Sequence, residues 1–335
     1  MTDILLAKPN LPHQWLDWSV GEAHVVKEAL FKTFDIKSSY LVHLLPNKKS
    51  EYPPPAGYEP LVKLLEDKYQ APVIITNGAK QALGATFYAL NKMGIAKLGM
   101  RTPYWALIPP IANAHGLQIA DKYDAYLAIL PNNPDGFMFD YDYAKYLSDY
   151  HKELGIPFIH DAAYYTPIYL PEGFNLGPLG DLQIYSMSKM YGLSGIRVGY
   201  VVCTNRDYYC RIKEYIEMMT VGVSTVSQDI AYSLLRELWG NPDGERTFVS
   251  EAKKQLYVAK ALCKTIRKDI LDVPEDVVNI PGIFGWFSKG PNCDFERAKI
   301  HTVSGKLFGD ESMVRLNLGL PTDILIEAIE RLNRL

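Results

Sequence analysis

The feature that most constrains the fold is a regular alternation of short apolar runs with helix-like segments. APVIITNG reads as a buried strand that ends at a glycine, and AKQALGATFYALNKMG has the spacing of a helix that ends at Gly94. The alternation continues through AYLAILPNNPDG, FDYDYAKYLSDYHKELG, IPFIHDAAY and DLQIYSMS. Strands that alternate with helices are typical of a mostly parallel sheet covered by helices. We therefore predict an α/β fold.

Polar groups follow the predicted strands. The motifs at these positions are TNGAKQ, TPYW, PNNPDG, HDAAY and SMSK, in chain order. In open α/β sheets, ligands bind beyond the carboxyl ends of the strands. We therefore expect these motifs to meet in one crevice.

Composition is that of an ordinary globular protein. The 335 residues, 48% of them hydrophobic, carry a net charge of −3 and have no basic face of the kind that binds nucleic acid. The four cysteines show no CxxC pairing, which favours a reducing compartment, and we see neither a membrane-spanning run nor an export signal. The seven histidines are scattered, so we predict no metal site. From the cysteines, the charge and the hydropathy we predict a cytoplasmic protein without a membrane or a nucleic-acid partner.

The segment SMSKMYGLSGIRVGY, residues 186–200, places a lysine between two apolar stretches. A lone lysine at a strand end is ordinarily a solvated loop residue. Here Lys189 comes with Ser186, Arg197 and, elsewhere at strand ends, Asn133 and Asp161. A cofactor with a phosphate, a basic ring nitrogen, a phenolic oxygen and an aldehyde needs this set of groups, and pyridoxal phosphate is such a cofactor.

The same segment matches every fixed position of the pattern SxSKxxGLxGxRxGY. The sequence therefore resembles the fold-type I pyridoxal-phosphate-dependent enzymes, the aspartate aminotransferase-like superfamily with its class I and II aminotransferases. The resemblance covers residues from about 15 to 335 and is strongest in the centre. It implies a large domain with a mostly parallel seven-stranded sheet between helices, a small α+β domain, and pyridoxal 5′-phosphate as cofactor.

The resemblance also implies catalytic roles. Lys189 is expected to form the Schiff base with the cofactor and then to move the proton at the substrate Cα. Asp161 is expected to keep the pyridine nitrogen protonated, while Tyr164 and Asn133 donate to the phenolic oxygen. Asp135 stands where the family usually has a threonine, which makes this turn atypical.

Further positions are expected to bind phosphate, ring and substrate. For the phosphate, the resemblance implies the helix start at Gly78, Ala79 and Lys80, with Ser186 and Arg197. Trp105 is expected to stack on the ring. The substrate-binding residues that it implies are Arg315 for the α-carboxylate, Gly21, Trp105 and Asn133.

Tyr52 occupies the position of a tyrosine that reaches the phosphate of a neighbouring subunit, which implies a homodimer with shared active sites. The expected reaction is transfer of an amino group between an amino acid and a 2-oxo acid, by a ping-pong route through pyridoxamine phosphate. A carbon–sulfur β-lyase, or another elimination or oxidation enzyme on this fold, is the alternative. A non-catalytic cofactor-sensing module is less compatible with an intact Lys189, Asp161 and Arg315. The substrates stay open, since Lys80 is compatible with an acidic amino acid and the many tyrosines with a larger one.

Three parts are expected along the chain. Residues 1–40 are predicted to form an N-terminal arm and part of the small domain, residues 41–235 the large cofactor-binding domain, and residues 236–335 the C-terminal small domain. A domain change is expected near the turn-rich NPDGE. The last part contains a hairpin-like pair around IPGIFGWFSK and the closing helix TDILIEAIERLNRL, with Ile326, Ile329 and Leu332 on one face. We expect it to pack with the N-terminal arm.

Overall fold

The computed structural model describes residues 12, 14–19, 23–33, 52–174 and 176–335. Its strands are β1 Leu16–Asp17, β2 Val73–Thr76, β3 Lys97–Met100, β4 Gln118–Ile119, β5 Ala125–Ile129, β6 Phe158–Asp161, β7 Leu182–Ser186, β8 Gly199–Cys203, β9 Leu271–Asp272, β10 Phe284–Lys289, β11 Ile300–His301, β12 Val303–Ser304 and β13 Met313–Asn317. Its α-helices are α1 His24–Thr33, α2 Glu59–Tyr69, α3 Gly78–Lys92, α4 Ile108–Ala114, α5 Tyr141–Glu153, α6 Met187–Met190, α7 Arg206–Thr220, α8 Thr225–Gly240, α9 Pro242–Cys263 and α10 Thr322–Asn333.

A seven-stranded sheet forms the centre of the molecule, in the order β2-β8-β7-β6-β5-β3-β4. Its neighbours are parallel except β8, which runs antiparallel to β2 and β7. Alternate residues of one strand join different cores, since Ile74 belongs to one apolar cluster and Val73 and Ile75 to the other. Both faces are thus buried, as expected for a sheet covered by helices. The predicted α/β fold is confirmed.

The register brings several strand ends to one edge of this sheet. Gly199, the first residue of β8, pairs with Thr76 at the end of β2 and with Ser186 at the end of β7. On the parallel side, Asp161 at the end of β6 pairs with Ile129 of β5. The loops that follow β2, β5, β6 and β7 therefore leave the sheet at the same edge.

A four-stranded antiparallel sheet, in the order β12-β13-β10-β9, lies in the C-terminal part. The predicted hairpin-like pair around IPGIFGWFSK is confirmed only in part: its strand β10 pairs antiparallel with the preceding β9, but its longer pairing is with the distant β13. The predicted packing with the N-terminal part is confirmed for the described residues. Strand β1 pairs with β11, and the Trp18 Nε1–H donates to the Asn317 carbonyl at 2.6 Å.

Two local expectations are also corrected. NPDGE is the start of helix α9, where Asn241 accepts from the Gly244 N–H at 3.0 Å. Asparagine and proline favour helix starts as well as turns, which explains the error. In α10, Ile326 is 42% exposed, and the buried stripe includes Leu325, Ile329 and Leu332 instead. The division of the chain near residue 236 stays a prediction.

Candidate active site

The predicted polar residues gather at the sheet edge defined above. Asp161 ends β6 and Ser186 ends β7. Asn133 lies in the turn after β5, and Gly78 begins α3 directly after β2. Lys189 lies in α6, the single helical turn that follows β7. The expected crevice is therefore assembled from loops at one end of the central sheet, as the position rule for open α/β sheets requires.

One corner of the crevice is built to hold an anion. Gly78 has φ +74°, and a Cβ there would lie 2.6 Å from Arg197 Nη2, so only glycine allows this approach. Asn77 gives the start of α3 no side-chain cap, so its first-turn amides are available to a ligand. Arg197 is held by the carbonyls of Ser194 (2.9 Å) and Asn77 (3.3 Å). The helix start and the guanidinium together suit a phosphate dianion.

Lys80 and Trp105 lie beside this corner. Burial, and then the nearby Arg197 guanidinium, lower the pKa of Lys80, because both disfavour its charged form. Its Nζ lies 5.6 Å from the centre of the Trp105 ring. Excess positive charge at this position would be relieved by a bound dianion. The structure thus places Lys80 with the predicted phosphate-binding residues.

Asp161 is a buried carboxylate whose charge is poorly compensated. Its Oδ1 accepts from the Ala163 N–H at 3.1 Å. Burial raises the pKa of Asp161 to about 6, and the Ala163 bond opposes this only in part. A positively charged N–H group against the carboxylate would stabilise its charged form. A protonated pyridine nitrogen is such a group.

Tyr164 lies close to both Asp161 and Arg315. Burial raises the pKa of the Tyr164 hydroxyl, and the Arg315 charge opposes that rise. Its ring packs edge-on against Phe284 and Tyr169, with centroid distances of 5.8 and 5.9 Å. The hydroxyl is therefore a neutral group held by aromatic packing, and it is able to donate a hydrogen bond.

Arg315, in β13, is buried at the meeting point of three distant segments. Its Nη1 donates to Asn133 Oδ1 and its Nη2 to the Ser19 carbonyl, both at 3.0 Å. Its Cζ lies 4.3 Å from the Phe284 ring centre and 5.4 Å from that of Phe308. Burial lowers the pKa of Arg315 to about 10, so the guanidinium stays charged at neutral pH.

The Nε of Arg315 is buried and has no hydrogen-bond partner within the described ranges. A buried donor without an acceptor costs about 1–3 kcal/mol. A carboxylate that accepts from Nε and from the adjacent amino group would remove this cost, because the guanidinium fork matches two carboxylate oxygens. Arg315 is thus suited to bind a carboxylate.

Lys189 lies between residues that pack into the core. Met187, Ser188 and Met190 are buried, whereas Lys189 is half-buried. The Met187 N–H donates to the Val198 carbonyl at 3.1 Å, and the Tyr169 hydroxyl donates to the Lys189 carbonyl at 2.6 Å. The turn is thus fixed from two sides. This arrangement explains how a lysine is accommodated between two apolar stretches.

The atypical Asp135 stabilises the turn that carries Asn133. Its Oδ1 accepts from Asn132 Nδ2 at 2.7 Å and from the Phe137 N–H at 3.0 Å, and its Oδ2 from Arg101 Nη1 at 2.7 Å. A carboxylate accepts more bonds than a threonine hydroxyl. The departure from the family pattern is therefore compensated locally.

One predicted residue lies apart from this assembly. Tyr52 is 84% exposed on the surface of the single chain. Gly21 lies outside the described residues. Sequence reasoning also missed Phe284, Phe308 and Tyr169, because aromatic residues at irregular spacing carry no motif that separates them from core residues.

Known proteins resemble this chain in sequence and in fold. The family model Alliinase_C, described as allinase, matches residues 66–258, more than half of the chain. The chain belongs to this family. Tryptophan aminotransferase-related protein 2 of Arabidopsis thaliana is 30% identical over an alignment of 282 positions that covers 73% of this chain and 62% of that protein. The chain thus spans less than two thirds of the length of that relative.

Other relatives extend the match. A probable aspartate/prephenate aminotransferase of Aquifex aeolicus is 24% identical over an alignment of 355 positions that covers 91% of this chain and 88% of that protein. A double mutant of Thermus thermophilus aspartate aminotransferase has the same fold, with a TM-score of 0.77 at 21% identity over 96% of this chain and 91% of that chain. The chain is thus a member of the fold-type I pyridoxal-phosphate superfamily.

This membership implies pyridoxal 5′-phosphate as the cofactor. The residues present fit it. The helix start with Arg197 suits its phosphate, and the poorly compensated Asp161 suits its ring nitrogen. In the described part of the chain, no helix has both the length and the apolar character needed to cross a membrane.

Proposed function

We propose that the protein is a pyridoxal-phosphate-dependent aminotransferase that moves an amino group between an amino acid and a 2-oxo acid by a ping-pong route. The observation that carries this proposal is the buried Arg315, whose Nε has no hydrogen-bond partner among the described residues and whose Nη1 donates to Asn133. Both substrates of an aminotransferase have a carboxylate next to the reacting carbon. One carboxylate site is therefore sufficient for both half-reactions.

When bound, pyridoxal phosphate supplies an aldehyde that takes up the amino group and a ring that accepts the electron pair left at Cα. Arg315 binds the α-carboxylate and so orients Cα. The Lys189 amine would remove the proton from Cα and carry it to the neighbouring carbon of the bound group. Asp161 holds the proton on the ring nitrogen. The Asn133 amide and the Tyr164 hydroxyl donate to the phenolic oxygen, since Asn133 Oδ1 already accepts from Arg315.

The phosphate is held by groups that take no part in proton transfer. The first-turn amides of α3, at Gly78, Ala79 and Lys80, face it with the positive end of the helix dipole. Ser186 adds a hydroxyl, and Arg197 adds charge. Trp105 covers the ring from beside Lys80, which the 5.6 Å separation supports.

A half-reaction experiment tests the proposed activity. The purified protein with bound cofactor is mixed with one amino acid and no 2-oxo acid, and the cofactor spectrum and the products are followed. An aminotransferase should form one 2-oxo acid per site and stop until a second 2-oxo acid is added. A panel of acidic, aromatic and aliphatic amino acids identifies the substrate class. Continuous release of ammonia would contradict the proposal.

A carbon–sulfur β-lyase is the second candidate. The match to the allinase family, a lyase family, favours it. In the same experiment, an S-substituted cysteine should then give ammonia, pyruvate and the sulfur-containing leaving group continuously, with no need for a 2-oxo acid. The two candidates therefore differ in stoichiometry as well as in product.

Replacing Arg315 by lysine should raise the KM for the amino acid on the order of tenfold to a hundredfold, because an ammonium cannot replace the two-point contact. Steady-state kinetics of Arg315→Lys measures this rise. As a control, the corresponding amine, which lacks the carboxylate, should react poorly and equally with both proteins. An unchanged KM for the amino acid would place the carboxylate elsewhere.

We also propose that two copies of the chain share their active sites. Tyr52, Met218, Met219 and Val221 are 84%, 59%, 60% and 43% exposed, and we call them the α7-end patch. Gly222 abuts Pro53, which joins the two parts of the patch. Gln81, in the first turn of α3, donates to Thr220 Oγ1 at 3.4 Å, so the patch borders the phosphate corner. A second copy seated here would bring its own Tyr52 towards that corner.

Hybrid dimers test the shared site. Tyr52→Ala and Lys189→Ala proteins should each be nearly inactive alone, whereas refolding an equal mixture should restore up to about one quarter of the native activity, since half of the dimers then have one intact site. Activity of the mixture at equal total concentration is the measurement. No recovery in hybrids confirmed by native mass spectrometry would refute the sharing.

A further inference from the structure

Tyr169 connects the lysine turn, which is the single-turn helix α6 that carries Lys189, to the C-terminal part of the chain. It is buried, and its hydroxyl donates to the Lys189 carbonyl at 2.6 Å. Its own carbonyl accepts from the Gly282 N–H at 3.1 Å. Gly282 lies two residues before β10, the strand that begins with Phe284. One side chain and one backbone group of the same residue thus hold both segments.

A continuous set of contacts leads from Lys189 through Tyr169 to Arg315. The Tyr169 and Tyr164 rings are 5.9 Å apart, and the Tyr164 and Phe284 rings 5.8 Å apart. The Phe284 ring centre then lies 4.3 Å from the Arg315 Cζ. The amine proposed to move the proton and the cation proposed to bind the carboxylate are therefore positioned through one packed aromatic row.

The segment that Tyr169 contacts is itself firmly held. The ammonium group of Lys260, which is buried in α9, donates a hydrogen bond to the Ile280 carbonyl. Gly136 has φ +68°, and a Cβ there would lie 2.4 Å from the Pro281 carbonyl oxygen. Residues 280–282 therefore have contacts on several sides. The Gly136 turn that abuts them also carries Asn133. Tyr169 is thus bonded to a segment that has further contacts of its own.

Helix α6 has little stability of its own. It is one turn long, and the Tyr191 and Leu193 N–H groups share the Met187 carbonyl at 3.2 and 3.3 Å. An isolated helical turn is unfavourable, because it fixes several dihedral angles for few hydrogen bonds. The position of Lys189 therefore depends on tertiary bonds such as the one from Tyr169.

We propose that Tyr169 is a positioning residue that holds Lys189 at the correct distance from a substrate bound to Arg315. The inference rests on the proposed function, because it assigns Lys189 the proton transfer. Tyr169 itself touches neither substrate nor cofactor in this role. Its hydroxyl acts through the Lys189 carbonyl.

The test is Tyr169→Phe, which removes one hydroxyl and keeps the ring. The half-reaction rate constant should fall about tenfold, with KM changed less than about threefold, because the catalytic amine is displaced while the carboxylate site stays intact. The pH midpoint of the bound-cofactor absorbance should shift by about 0.5 unit or more, because the amine joined to the cofactor lies in a changed environment. In the cofactor-free protein, amide hydrogen exchange of residues 187–193 should be faster by about tenfold.

Tyr165→Phe is the matched control. Tyr165 is also buried, and its hydroxyl donates to a backbone carbonyl, that of Gly177, at 3.1 Å. This variant should lose a comparable amount of thermal stability but keep the native pH midpoint and the native exchange rates at 187–193. Replacing Tyr169 by 4-aminophenylalanine, which keeps a ring and a hydrogen-bond donor, should restore the native pH midpoint and exchange rates. This variant also tests the inference if Tyr169→Phe folds poorly.

Native exchange and a native pH midpoint in Tyr169→Phe would overturn the inference. So would equal shifts in the Tyr165→Phe control. Failure of the proposed function is a separate outcome: the native protein would then release ammonia continuously or form no 2-oxo acid in the half-reaction, while the exchange measurement, which needs no cofactor, still reports on the Tyr169 bond.

Discussion

Lys189→Ala should lower the amino-transfer rate by about 10³-fold or more, because the variant loses both the covalent attachment of the cofactor and the base at Cα. The fold should persist, since Lys189 is the half-buried residue of α6 and its neighbours supply the packing. Borohydride reduction of the native protein, followed by peptide mapping, should place the cofactor on residues 187–193. The variant should take up no reducible cofactor there.

Lys189→Arg provides the control for charge. It keeps a cation of similar length but no amine that forms the covalent bond, so it should be as inactive as the alanine variant. A label on Lys80 or Lys260 would contradict the assignment. These two lysines are the strongest alternative sites of covalent attachment. Each has a pKa lowered chiefly by burial, to about 8 for Lys260, and so has more neutral amine than an exposed lysine.

Asp161→Asn should change stability and activity in opposite directions. Activity of the loaded enzyme should fall by about 10²-fold or more, because an amide does not keep the ring nitrogen protonated. The cofactor-free variant should be more stable than the native protein at pH 8, because the substitution removes a buried, poorly compensated carboxylate.

The sign of the pH dependence follows from the raised pKa. Asp161 goes from 3.8 to about 6 on folding, so the native state holds its proton more tightly than the unfolded chain. Its contribution to stability is complete below about pH 4 and is lost as the pH rises through 6. The loss is at most about 3 kcal/mol for a shift near two units.

Denaturant unfolding of the cofactor-free protein from pH 4 to pH 8 measures this dependence. The difference in unfolding free energy between Asp161→Asn and the native protein should change in favour of the variant as the pH rises, by at most about 3 kcal/mol. Asp140→Asn is the control, since Asp140 caps α5 by accepting from the Tyr143 N–H at 2.8 Å and asparagine caps equally well. Identical curves for the native protein and Asp161→Asn would show that the Asp161 charge is compensated without the cofactor.

Much of the fold and of the site could be predicted because the signals are local. Strand β2, the glycine turn at Gly78 and helix α3 are adjacent in the chain, so one short sequence specifies their geometry. The motif at 186–200 likewise gathers Ser186, Lys189 and Arg197 within twelve residues. The roles assigned to these residues stay predictions, although their positions at one sheet edge agree with them.

The errors arose where one local pattern permits two structures. NPDGE satisfies the requirements of a turn and of a helix start, and only the chain beyond it decides between them. The strand in IPGIFGWFSK has a local sequence that suits a hairpin, yet its partner β13 is about thirty residues away. Pairing across such a distance depends on which surfaces the rest of the chain leaves free.

By itself the sequence determined the alternating α/β architecture, the lysine motif and the identity of the groups at the strand ends, because each depends on neighbours in the chain. The tertiary structure alone decided which distant groups meet. It brought Arg315 to Asn133 across 182 positions, left its Nε without a partner in the described residues, and placed Tyr169 between the lysine turn and Gly282. Such contacts depend on how sheets and helices pack, and packing is a property of the whole chain.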